Sequence, residues 1–372
     1  MKKIWDIVLT GGPCSGKTTA LATIEKELTA RGYHVIIVPE TASELISNGV
    51  RPFGNNALDN VSFQTLLMQQ QYNKEKIYST AAAQIPNNQT VIVYDRGILD
   101  SKCYMSQDEF DYVLSTVNPS FKSEHSIYSR YDAIFHLVTA ADGAREFYTL
   151  ANNGARTETP EQAIELDQKG RECWIGHPKF KIIDNSTDFE NKMKRLMNEI
   201  YVVLGEPIPA LVDRKYLVEM PNMHMIVNRR DVEILQSYLS IEKDSEVRVR
   251  KITSDNISNY YYTEKKYHDI GVIKIERRIK KRDYEAYLAS SDQIYEVKKT
   301  RSYFMYYDQY FKLDVFDFEN DVALLEIEQT GVAAATDVDP KIPVSINVIR
   351  EVTGEDFFYN KNIALSQTIN FC

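Results

Sequence analysis

The chain has 372 residues, of which 43% are hydrophobic and 26% are charged, with a formal net charge of −9. This composition is typical of soluble globular proteins, and the length predicts two domains of roughly 150–200 residues rather than one core. The acidic balance argues against general nucleic-acid binding, which requires a basic face.

The four cysteines show no CxxC motif and no Cys/His metal-ligand spacing, which indicates free thiols in a reducing compartment. The N-terminal run "MKKIWDIVLTGG" begins like a signal peptide, but Asp6 interrupts its apolar part and no cleavage site follows. No window has ~18 consecutive apolar residues, so no transmembrane helix is expected. We expect a cytoplasmic protein and leave peripheral membrane contact open.

The first half of the chain alternates short apolar runs with stretches of helical spacing. The runs "IVLT", "HVIIV", "TVIVYD", "AIFHLV" and "KIID" predict strands. Helices are predicted over Lys17–Ala30 and around residues 63–78. Continuous apolar strands separated by helices are typical of a parallel sheet covered on both faces. The sequence therefore predicts an α/β domain over residues 1–204.

From about residue 212 the pattern changes to strict alternation, in "EVRVRKI", "VIKIERRI", "KLDVF" and "LLEIE". Alternation of this kind indicates antiparallel β structure. The Pro- and Gly-containing stretch "GEPIPA" separates the two textures. We expect a linker over residues 205–211 and a second, β-rich domain over residues 212–372.

A glycine-rich loop follows the first predicted strand, and Gly11-x-x-x-x-Gly16-Lys17-Thr18 matches the Walker A pattern. In such a loop, backbone N–H groups and a helix N-terminus bind phosphate oxygens. Lys17 is expected to reach the β- and γ-phosphates and Thr18 to hold Mg²⁺. The choice between ATP and GTP stays open, because no NKxD guanine signature is present. The residues expected at the nucleotide are Gly11, Gly12, Pro13, Cys14, Ser15, Gly16, Lys17, Thr18 and Thr19.

Further candidate catalytic residues follow other predicted strands of the first domain. Asp95 in "VIVYDRG" is expected to contact Mg²⁺, and Arg96 to face the acceptor and the phosphate; a solvated strand-terminal acid is the alternative for Asp95. Glu40 in "VPETASELI" is a candidate for binding an acceptor hydroxyl or acting as general base, or else a helix N-terminal acid. Arg145 and Arg156 lie in a polar stretch similar to a kinase lid, although each alone could be a surface arginine.

The combination of these motifs resembles the AAA-like P-loop domain of bacterial nicotinamide riboside kinases and of the TRPL translocation defect proteins. The resemblance implies that Asp184 and Asn185 lie near the nucleotide base. The matching runs are residues 9–19, 38–46, 94–97, 131–149 and 177–185.

In the second domain, alternation separates apolar from charged faces: Val247 and Val249 oppose Arg248 and Arg250. Residues 243–301 contain 15 Lys/Arg and 10 Asp/Glu, a local excess of positive charge. A barrel with this face inside would bind a polyphosphate, whereas a sheet with one wet face gives the same alternation. The residues expected to bind the polyanion are Lys215, Arg248, Arg250, Lys265, Lys274, Arg278, Lys298 and Arg301.

The order of "VDRKYLV", "ILQSYL", "VRVRK", "YYTEKK", "IERRI", "KLDVF" and "LLEIE" resembles the CYTH domain over about residues 211–330. The resemblance implies an α+β fold with an antiparallel β-barrel, called a triphosphate tunnel. A P-loop domain fused to a CYTH domain is the arrangement of the TRPL translocation defect family, which is associated with GTP and acidic phospholipids.

The chain departs from the CYTH pattern at the metal-binding acids. The opening E-x-E-x-K motif reads Leu211, Asp213 and Lys215, and a later E-x-E pair reads Lys274 and Glu276. These changes predict reduced or lost triphosphatase activity and stronger anion binding. The metal ligands expected from the whole chain are Thr18, Asp95, Asp213, Glu276, Glu326 and Glu328.

Three functions are compatible with these patterns. The first is a Mg²⁺-dependent phosphotransferase or NTPase whose tunnel binds a polyphosphate or phosphorylated small molecule. The second is a nucleotide-regulated module that binds phosphoinositide head groups, and the third is an active triphosphatase. The acid–arginine candidates favour the first, and the altered tunnel acids count against the third.

Overall fold

The structure is a computed structural model, and it describes residues 2–148, 159–206, 214–268, 271–307, 309–328 and 340–369. The chain divides into two compact units, residues 1–194 and 195–372. The predicted boundary at residues 204–212 stays a prediction, since most of that linker lies outside the described residues. No helix within the described ranges is long and apolar enough to cross a membrane.

The first unit contains a parallel five-stranded sheet in the order β2-β3-β1-β4-β5. Its strands are β1 (Lys3–Gly11), β2 (His34–Val38), β3 (Gln89–Asp95), β4 (Ala133–Leu137) and β5 (Phe180–Ile183). The helices are α1 (Lys17–Ala30), α2 (Thr41–Ser47), α3 (Asn60–Gln84), α4 (Gln107–Val117), α5 (Glu124–Tyr128), α6 (Pro160–Glu172) and α7 (Phe189–Leu204), which continues past residue 194. Short 3₁₀ segments cover Ile98–Tyr104 and Arg145–Phe147.

The predicted α/β architecture is confirmed in this unit. The apolar runs Ile7–Leu9 and Val91–Val93 are fully buried, because the central strands β1 and β3 are covered on both faces. Leu9 lies opposite Asp95 in the register of β1 and β3, so the carboxyl ends of both strands meet at one edge of the sheet. In open α/β sheets, ligands bind at this edge.

The second unit contains an antiparallel sheet in the order β10-β9-β8-β7-β11-β12-β13-β6-β14. Its strands are β6 (Arg214–Glu219), β7 (Arg230–Ile241), β8 (Ser245–Ser254), β9 (Ile257–His268), β10 (Gly271–Ile279), β11 (Tyr295–Tyr306), β12 (Gln309–Phe316), β13 (Val322–Glu328) and β14 (Val348–Glu351). Among the described residues, the end of α7 and the helices α8 (Lys281–Ala289) and α9 (Asn360–Ser366) accompany them. A 3₁₀ turn, Asp356–Phe358, precedes α9.

The predicted antiparallel architecture is confirmed, whereas closure into a barrel stays a prediction. Among the described strands, β10 pairs only with β9 and β14 only with β6, which is an open order. The two faces of the sheet differ in character. One face buries an apolar cluster that includes Phe304, Phe311, Leu313 and Leu325.

The other face, which we call the charged face, holds ionisable side chains that oppose one another in the strand register. Arg301 lies opposite Asp314, and Lys312 lies opposite Glu326, which in turn lies opposite Lys215. On the neighbouring strands the same face carries the bases and acids of β8, β9 and β10. Its members are Lys215, Arg248, Arg250, Lys265, Lys274, Arg278, Lys299, Arg301 and Lys312, with Glu246, Glu276, Asp314 and Glu326.

Candidate functional site

The glycine-rich loop joins the buried end of β1 to the start of α1 at Lys17. Gly16 has φ +89°, in the left-handed region, and a Cβ there would lie 2.6 Å from Cε2 of Phe189. A Cβ on Gly12 would lie 2.6 Å from Oδ1 of Asp167. Both positions therefore require glycine, one for its conformation and both for close packing. The loop ends at a helix N-terminus, which favours a bound anion.

Lys17 is buried, and its Nζ donates to the carbonyl oxygen of Gly11 at 3.1 Å. The lysine is thus folded back over its own loop, where an incoming phosphate can exchange for the carbonyl oxygen. The side chains of Thr18 and Thr19 are exposed. Oγ of Ser15 is buried and has no hydrogen-bond partner among the described residues. The loop offers donors for phosphate and a hydroxyl for a cation.

Asp95 ends β3 beside this loop, and its Oδ1 is buried without a hydrogen-bond partner in the described part of the chain. Burial raises the pKa of the Asp95 carboxyl, while the charge of Lys17 opposes that shift and Glu40 adds to it. Carboxylate and hydroxyl oxygens are the ligands that Mg²⁺ prefers. The orphaned carboxylate oxygen of Asp95, at the end of β3 and under the influence of the Lys17 charge, therefore fits a Mg²⁺ ligand.

Glu40 and Arg96 form an ion pair at the same edge, with Oε1 of Glu40 2.5 Å from Nε of Arg96. Burial would raise the pKa of Glu40, but the charges of Arg96 and Lys17 lower it to about 2. A carboxylate with so low a pKa is a weak base at neutral pH. Arg96 itself has φ +71°, and its backbone N–H donates to Leu9, which fixes it at the β1–β3 edge. The structure thus brings Lys17, Glu40, Asp95 and Arg96 together.

Two buried acids that the sequence did not single out support this loop. Asp167 on α6 accepts hydrogen bonds from the backbone N–H groups of Gly12 (2.9 Å) and Thr139 (3.0 Å), and its Oδ1 lies 3.0 Å from Nε2 of His136. Burial opposes ionisation of Asp167, but His136 and its other partners lower its pKa. The carboxylate is therefore a fixed anchor for the loop, 155 residues away along the chain.

Asp100 holds the end of β1 directly before the loop. It accepts hydrogen bonds from the hydroxyl of Thr10, from the backbone N–H of Gly97 at 2.7 Å and from Nε1 of Trp174 at 3.3 Å. A Cβ on Gly97 would lie 2.9 Å from the ring of Trp174. The glycine of the "YDRG" motif is therefore explained by packing.

The remaining candidates of the first unit lie in other settings. Arg145 is exposed and pairs with Glu161 at 2.8 Å, and Arg156 lies outside the described residues. Asp184 accepts from the hydroxyl of Ser186 at 2.6 Å. Asn185 donates to the carbonyl oxygens of Thr139 (2.7 Å) and Asp142 (2.6 Å) and accepts from Lys192. Roles at the nucleotide for these four residues stay predictions.

In the second unit, each acid of the charged face is paired with bases. Asp314 binds Nε and Nη2 of Arg301 at 2.6 Å each and also pairs with Lys299. Glu326 lies 2.9 Å from Lys215 and 3.1 Å from Arg301. Burial would raise the pKa of Glu326, but Lys215 and Arg301 hold it well below its usual range.

The acids of β8 and β10 are paired in the same way. Glu246 lies 3.2 Å from Lys265 and 3.6 Å from Arg248, and Glu276 pairs with Arg250 and with Lys274 at 3.7 Å. Tyr267 also donates to Glu246 at 2.9 Å. The basic side chains of the face outnumber its acids, so the face keeps a positive excess after pairing.

One predicted member of this face is placed differently by the structure. Lys298 is exposed and pairs with Asp317 at 2.6 Å, while Lys299 is buried and contacts Asp314. Lys298 and Arg301 are three residues apart on β11, and side chains alternate along a strand, so they cannot share a face. Lys299 takes the inward position, and Lys312 is a further member that the sequence analysis missed. Arg278 is on the charged face opposite Tyr261, and its side chain is exposed.

The predicted metal ligands of the second unit do not gather into one cluster in the described part of the chain. Glu276 and Glu326 pair with different bases, as above. Asp213 and the side chain of Glu328 lie outside what the structure describes, as does Leu211. Among the described residues, no group of three or more His, Cys, Asp or Glu could hold a metal ion.

The C-terminal segment around α9 covers one end of the charged face. Nζ of Lys215 donates to the carbonyl oxygen of Phe358 at 2.9 Å, and Nζ of Lys299 donates to Oδ1 of Asn360 at 2.9 Å. Nζ of Lys361 lies 4.9 Å from the ring centre of Tyr267. Apolar side chains of α9 complete the packing against β6, β7, β11 and β13. No local pattern in the sequence predicts this cover.

Comparison with known proteins places the first unit in a family. The model of a family described as "AAA domain" matches residues 6–192, which is half of the chain. No curated protein matches the chain. A solved structure, the crystal structure of the hypothetical protein NE1496, is 28% identical and covers 42% of this chain and 97% of its own. Its TM-score of 0.31 is too low to support an argument. On the family match and the geometry of the glycine-rich loop, the chain belongs to the AAA domain family of P-loop proteins.

Proposed function

We propose that the first unit is a Mg²⁺-dependent P-loop phosphotransferase or NTPase that uses ATP or GTP. One observation carries the proposal: Asp95 ends β3 beside Lys17 with a buried carboxylate oxygen that has no partner among the described residues. An unpaired buried carboxylate is costly unless a ligand satisfies it. A Mg²⁺–nucleotide complex supplies the cation for Asp95 and the phosphates for the loop.

The residues at this edge have distinct roles in the proposal. The backbone N–H groups of the loop and the ammonium of Lys17 bind the phosphates, with Lys17 leaving the carbonyl oxygen of Gly11. Thr18 and Asp95 would hold Mg²⁺, which neutralises charge on the phosphates. Asp100 and Asp167 keep the loop in place, Asp100 at the end of β1 and Asp167 at Gly12.

Glu40 and Arg96 act on the acceptor side of the phosphates. Because the pKa of Glu40 is lowered to about 2, Glu40 accepts a hydrogen bond from an acceptor hydroxyl rather than taking its proton. Glu40 also holds Arg96, whose guanidinium stabilises charge on the transferring phosphoryl group. The resemblance to nicotinamide riboside kinases favours a small-molecule hydroxyl as acceptor, and plain hydrolysis is the alternative.

The direct test is to incubate the purified full chain with Mg-ATP or Mg-GTP and a metabolite extract. Mass spectrometry should find a new phosphorylated species that depends on both nucleotide and enzyme. Nucleoside diphosphate released without any phosphorylated acceptor would identify an NTPase. Absence of both products with both nucleotides would contradict an enzymatic role.

The variant Asp95→Asn tests the role of the buried, unpartnered carboxylate oxygen of Asp95. We expect nucleotide affinity to stay within roughly tenfold, about 1.4 kcal/mol, while turnover falls by about 100-fold or more, because the carboxylate acts mainly in the transition state. Asp108→Asn, an exposed acid on α4, is the matched control. Equal losses of affinity and turnover would instead favour a nucleotide-regulated binding module.

For the second unit, we propose that the charged face binds a polyanion: a polyphosphate, a phosphorylated small molecule or a phosphoinositide head group. The supporting observation is that bases outnumber acids on this face. For example, Arg248 and Lys265 share one acid, Glu246, while Arg250 pairs with Glu276. Arginine forks match phosphate oxygens. We also propose that the second unit forms a CYTH-type tunnel and that the whole chain is a member of the TRPL translocation defect family.

Triphosphate cleavage by this face is the weaker alternative. Glu276 and Glu326 are held by Arg250, Lys215 and Arg301, so a metal ion would have to displace those bases. Breaking buried ion pairs is costly. Binding without cleavage is therefore the expected behaviour, and rapid hydrolysis of inorganic triphosphate by the purified protein would overturn it.

A further inference from the structure

Two cysteines of the first unit lie in contact although they are 70 residues apart in the chain. Sγ of Cys103 is 3.3 Å from Sγ of Cys173, and neither is disulfide-bonded. Cys103 belongs to the 3₁₀ segment Ile98–Tyr104 and is partly exposed. Cys173 follows α6 directly and is buried. The Cys103 thiol is therefore accessible to reagents, whereas the Cys173 thiol is buried next to it.

The two segments that meet here are the two supports of the glycine-rich loop. The 3₁₀ segment carries Asp100, which holds Thr10 at the end of β1. The helix α6 carries Asp167, which holds the backbone N–H of Gly12. A bond between Cys103 and Cys173 would link these supports covalently.

We propose that Cys103 and Cys173 form a reversible disulfide, and that its formation changes nucleotide binding at the glycine-rich loop. The oxidant is a low-molecular-weight disulfide. The thiolate of Cys103 attacks one sulfur of the oxidant and releases one small thiol, leaving a mixed disulfide. Cys173 loses its proton to solvent, attacks the Cys103 sulfur and releases the second small thiol. Overall the two thiols lose two protons and two electrons, and the oxidant takes them up to become two small thiols.

The surroundings set the order of these steps. The pKa of the Cys173 thiol is raised, mainly by the hydrogen bond with Cys103 and next by burial. Cys173 therefore stays protonated and is unreactive on its own. Cys103 is the accessible member of the pair and reacts first. A thiol pair of this kind suits a reducing compartment, where disulfides are usually transient and redox-sensing.

Closing the bond requires movement. A disulfide brings its sulfurs to about 2 Å, closer than the 3.3 Å contact, so Cys103 and Cys173 must move toward each other, and we expect the 3₁₀ segment and α6 to take up part of that movement. Asp167 is packed tightly against the loop, because a Cβ on Gly12 would lie only 2.6 Å from Oδ1 of Asp167, so Asp167 cannot move without affecting Gly12. The shift is therefore expected to reach the loop and to weaken nucleotide binding.

The test uses the full chain with Cys372→Ser, which leaves Cys14, Cys103 and Cys173. The protein is treated with oxidised glutathione, remaining thiols are alkylated, and peptides are mapped by mass spectrometry without reduction. We expect a Cys103–Cys173 cross-linked peptide, together with at least a threefold loss of nucleotide affinity that dithiothreitol restores. The same treatment with dithiothreitol present throughout is the control.

Two single variants make the result specific. Cys103→Ser and Cys173→Ala should each abolish the cross-link and the reversible loss of affinity, with alanine chosen because position 173 is buried. A mixed disulfide confined to Cys14, or a redox response that persists in Cys173→Ala, would overturn the proposal. A cross-link that forms with no change in nucleotide affinity would overturn its connection to the loop.

Discussion

The glycine-rich loop and the charged face are both suited to anions, but they are built in different ways. The loop uses backbone N–H groups of one contiguous stretch, residues 11–19, held by Asp100 and Asp167. The charged face uses side chains from strands spread over residues 214–328, and its bases are already paired with acids. In the proposed roles, phosphate at the loop would displace Lys17 from the carbonyl oxygen of Gly11, whereas a polyanion at the charged face would compete with carboxylates.

This difference has energetic consequences. Removing one partner of a buried ion pair costs about 3–5 kcal/mol, because the other charge is left unpaired. Asp314 is fully buried between Lys299 and Arg301, so substitutions there will affect folding as well as binding. Removing Lys17 also takes a positive charge away from Asp95 and Glu40, but Glu40 keeps its ion pair with Arg96. The two sites are therefore expected to respond differently to substitution, salt and pH.

The largest expected effect is at the loop. Lys17→Ala should lower nucleotide affinity or turnover by about 100-fold or more, since in the proposed role the Lys17 ammonium contacts the phosphates directly. The melting temperature should change little, and Lys26→Ala, an exposed lysine on the same helix, should bind nucleotide normally. Isothermal titration with ATP and GTP measures the nucleotide affinity of both variants, and thermal unfolding measures their melting temperatures. Turnover at the wild-type rate would show that the loop does not bind phosphate through Lys17.

The charged face should respond independently. The double variant Arg248→Ala with Arg250→Ala should weaken binding of inorganic triphosphate or inositol phosphates by about tenfold or more, with nucleotide affinity at the loop unchanged. Binding by the wild type should weaken with salt, because charges are screened over ~8–10 Å at 0.1–0.15 M. Lys298→Ala is the matched control, because Lys298 lies on the opposite face with Asp317.

Loss of Arg250 also leaves Glu276 without one of its bases, so the double variant needs a check of folding by thermal unfolding. Lys274→Ala is a milder substitute, since Lys274 is partly exposed. If neither variant alters polyanion binding while both remain folded, the face is a structural network of ion pairs and the binding proposal for it is wrong.

A smaller effect is expected from pH. Burial, then the charge of Arg248, lowers the pKa of Lys265 to about 8. If the charged face binds a polyanion, protonated Lys265 attracts it, so affinity should fall roughly three- to tenfold between pH 7 and pH 9, as Lys265 loses its proton. Lys265→Arg keeps its charge and should flatten this part of the profile. An unchanged profile in Lys265→Arg would assign the pH effect to another group, with Lys299 next to be tested.

The parts of the fold that sequence reasoning predicted are those whose signals are local. The first helix begins at Lys17 and ends at Ala30, as expected from apolar spacing and the glycine that follows. The runs "HVIIV" and "TVIVYD" became β2 and β3, of which β3 is buried and the edge strand β2 is mostly half-buried. The loop could be placed from its glycines alone, since backbone geometry dictates them.

The parts that sequence reasoning missed depend on contacts distant in the chain. The sequence around Asp167 does not distinguish it from other acids on helices, because its role depends on a tertiary contact with Gly12. The choice of Lys298 over Lys299 was an error that alternation could have corrected, because Arg301 fixes which positions of β11 share its face. The cover by α9 had no local signal, since it depends on apolar packing that only the assembled sheet offers.

The position of β6 has a consequence for the order in which the units can fold during synthesis. β6 begins at Arg214 but lies between β13 and β14, and Lys215 and Lys299 find partners at Phe358 and Asn360. The second unit can therefore complete its sheet only after nearly all of it has been synthesised, and such long-range pairing is slow. The last described strand of the first unit ends at Ile183, so we expect a ribosome to carry the folded first unit while the positive charges downstream still lack their partners.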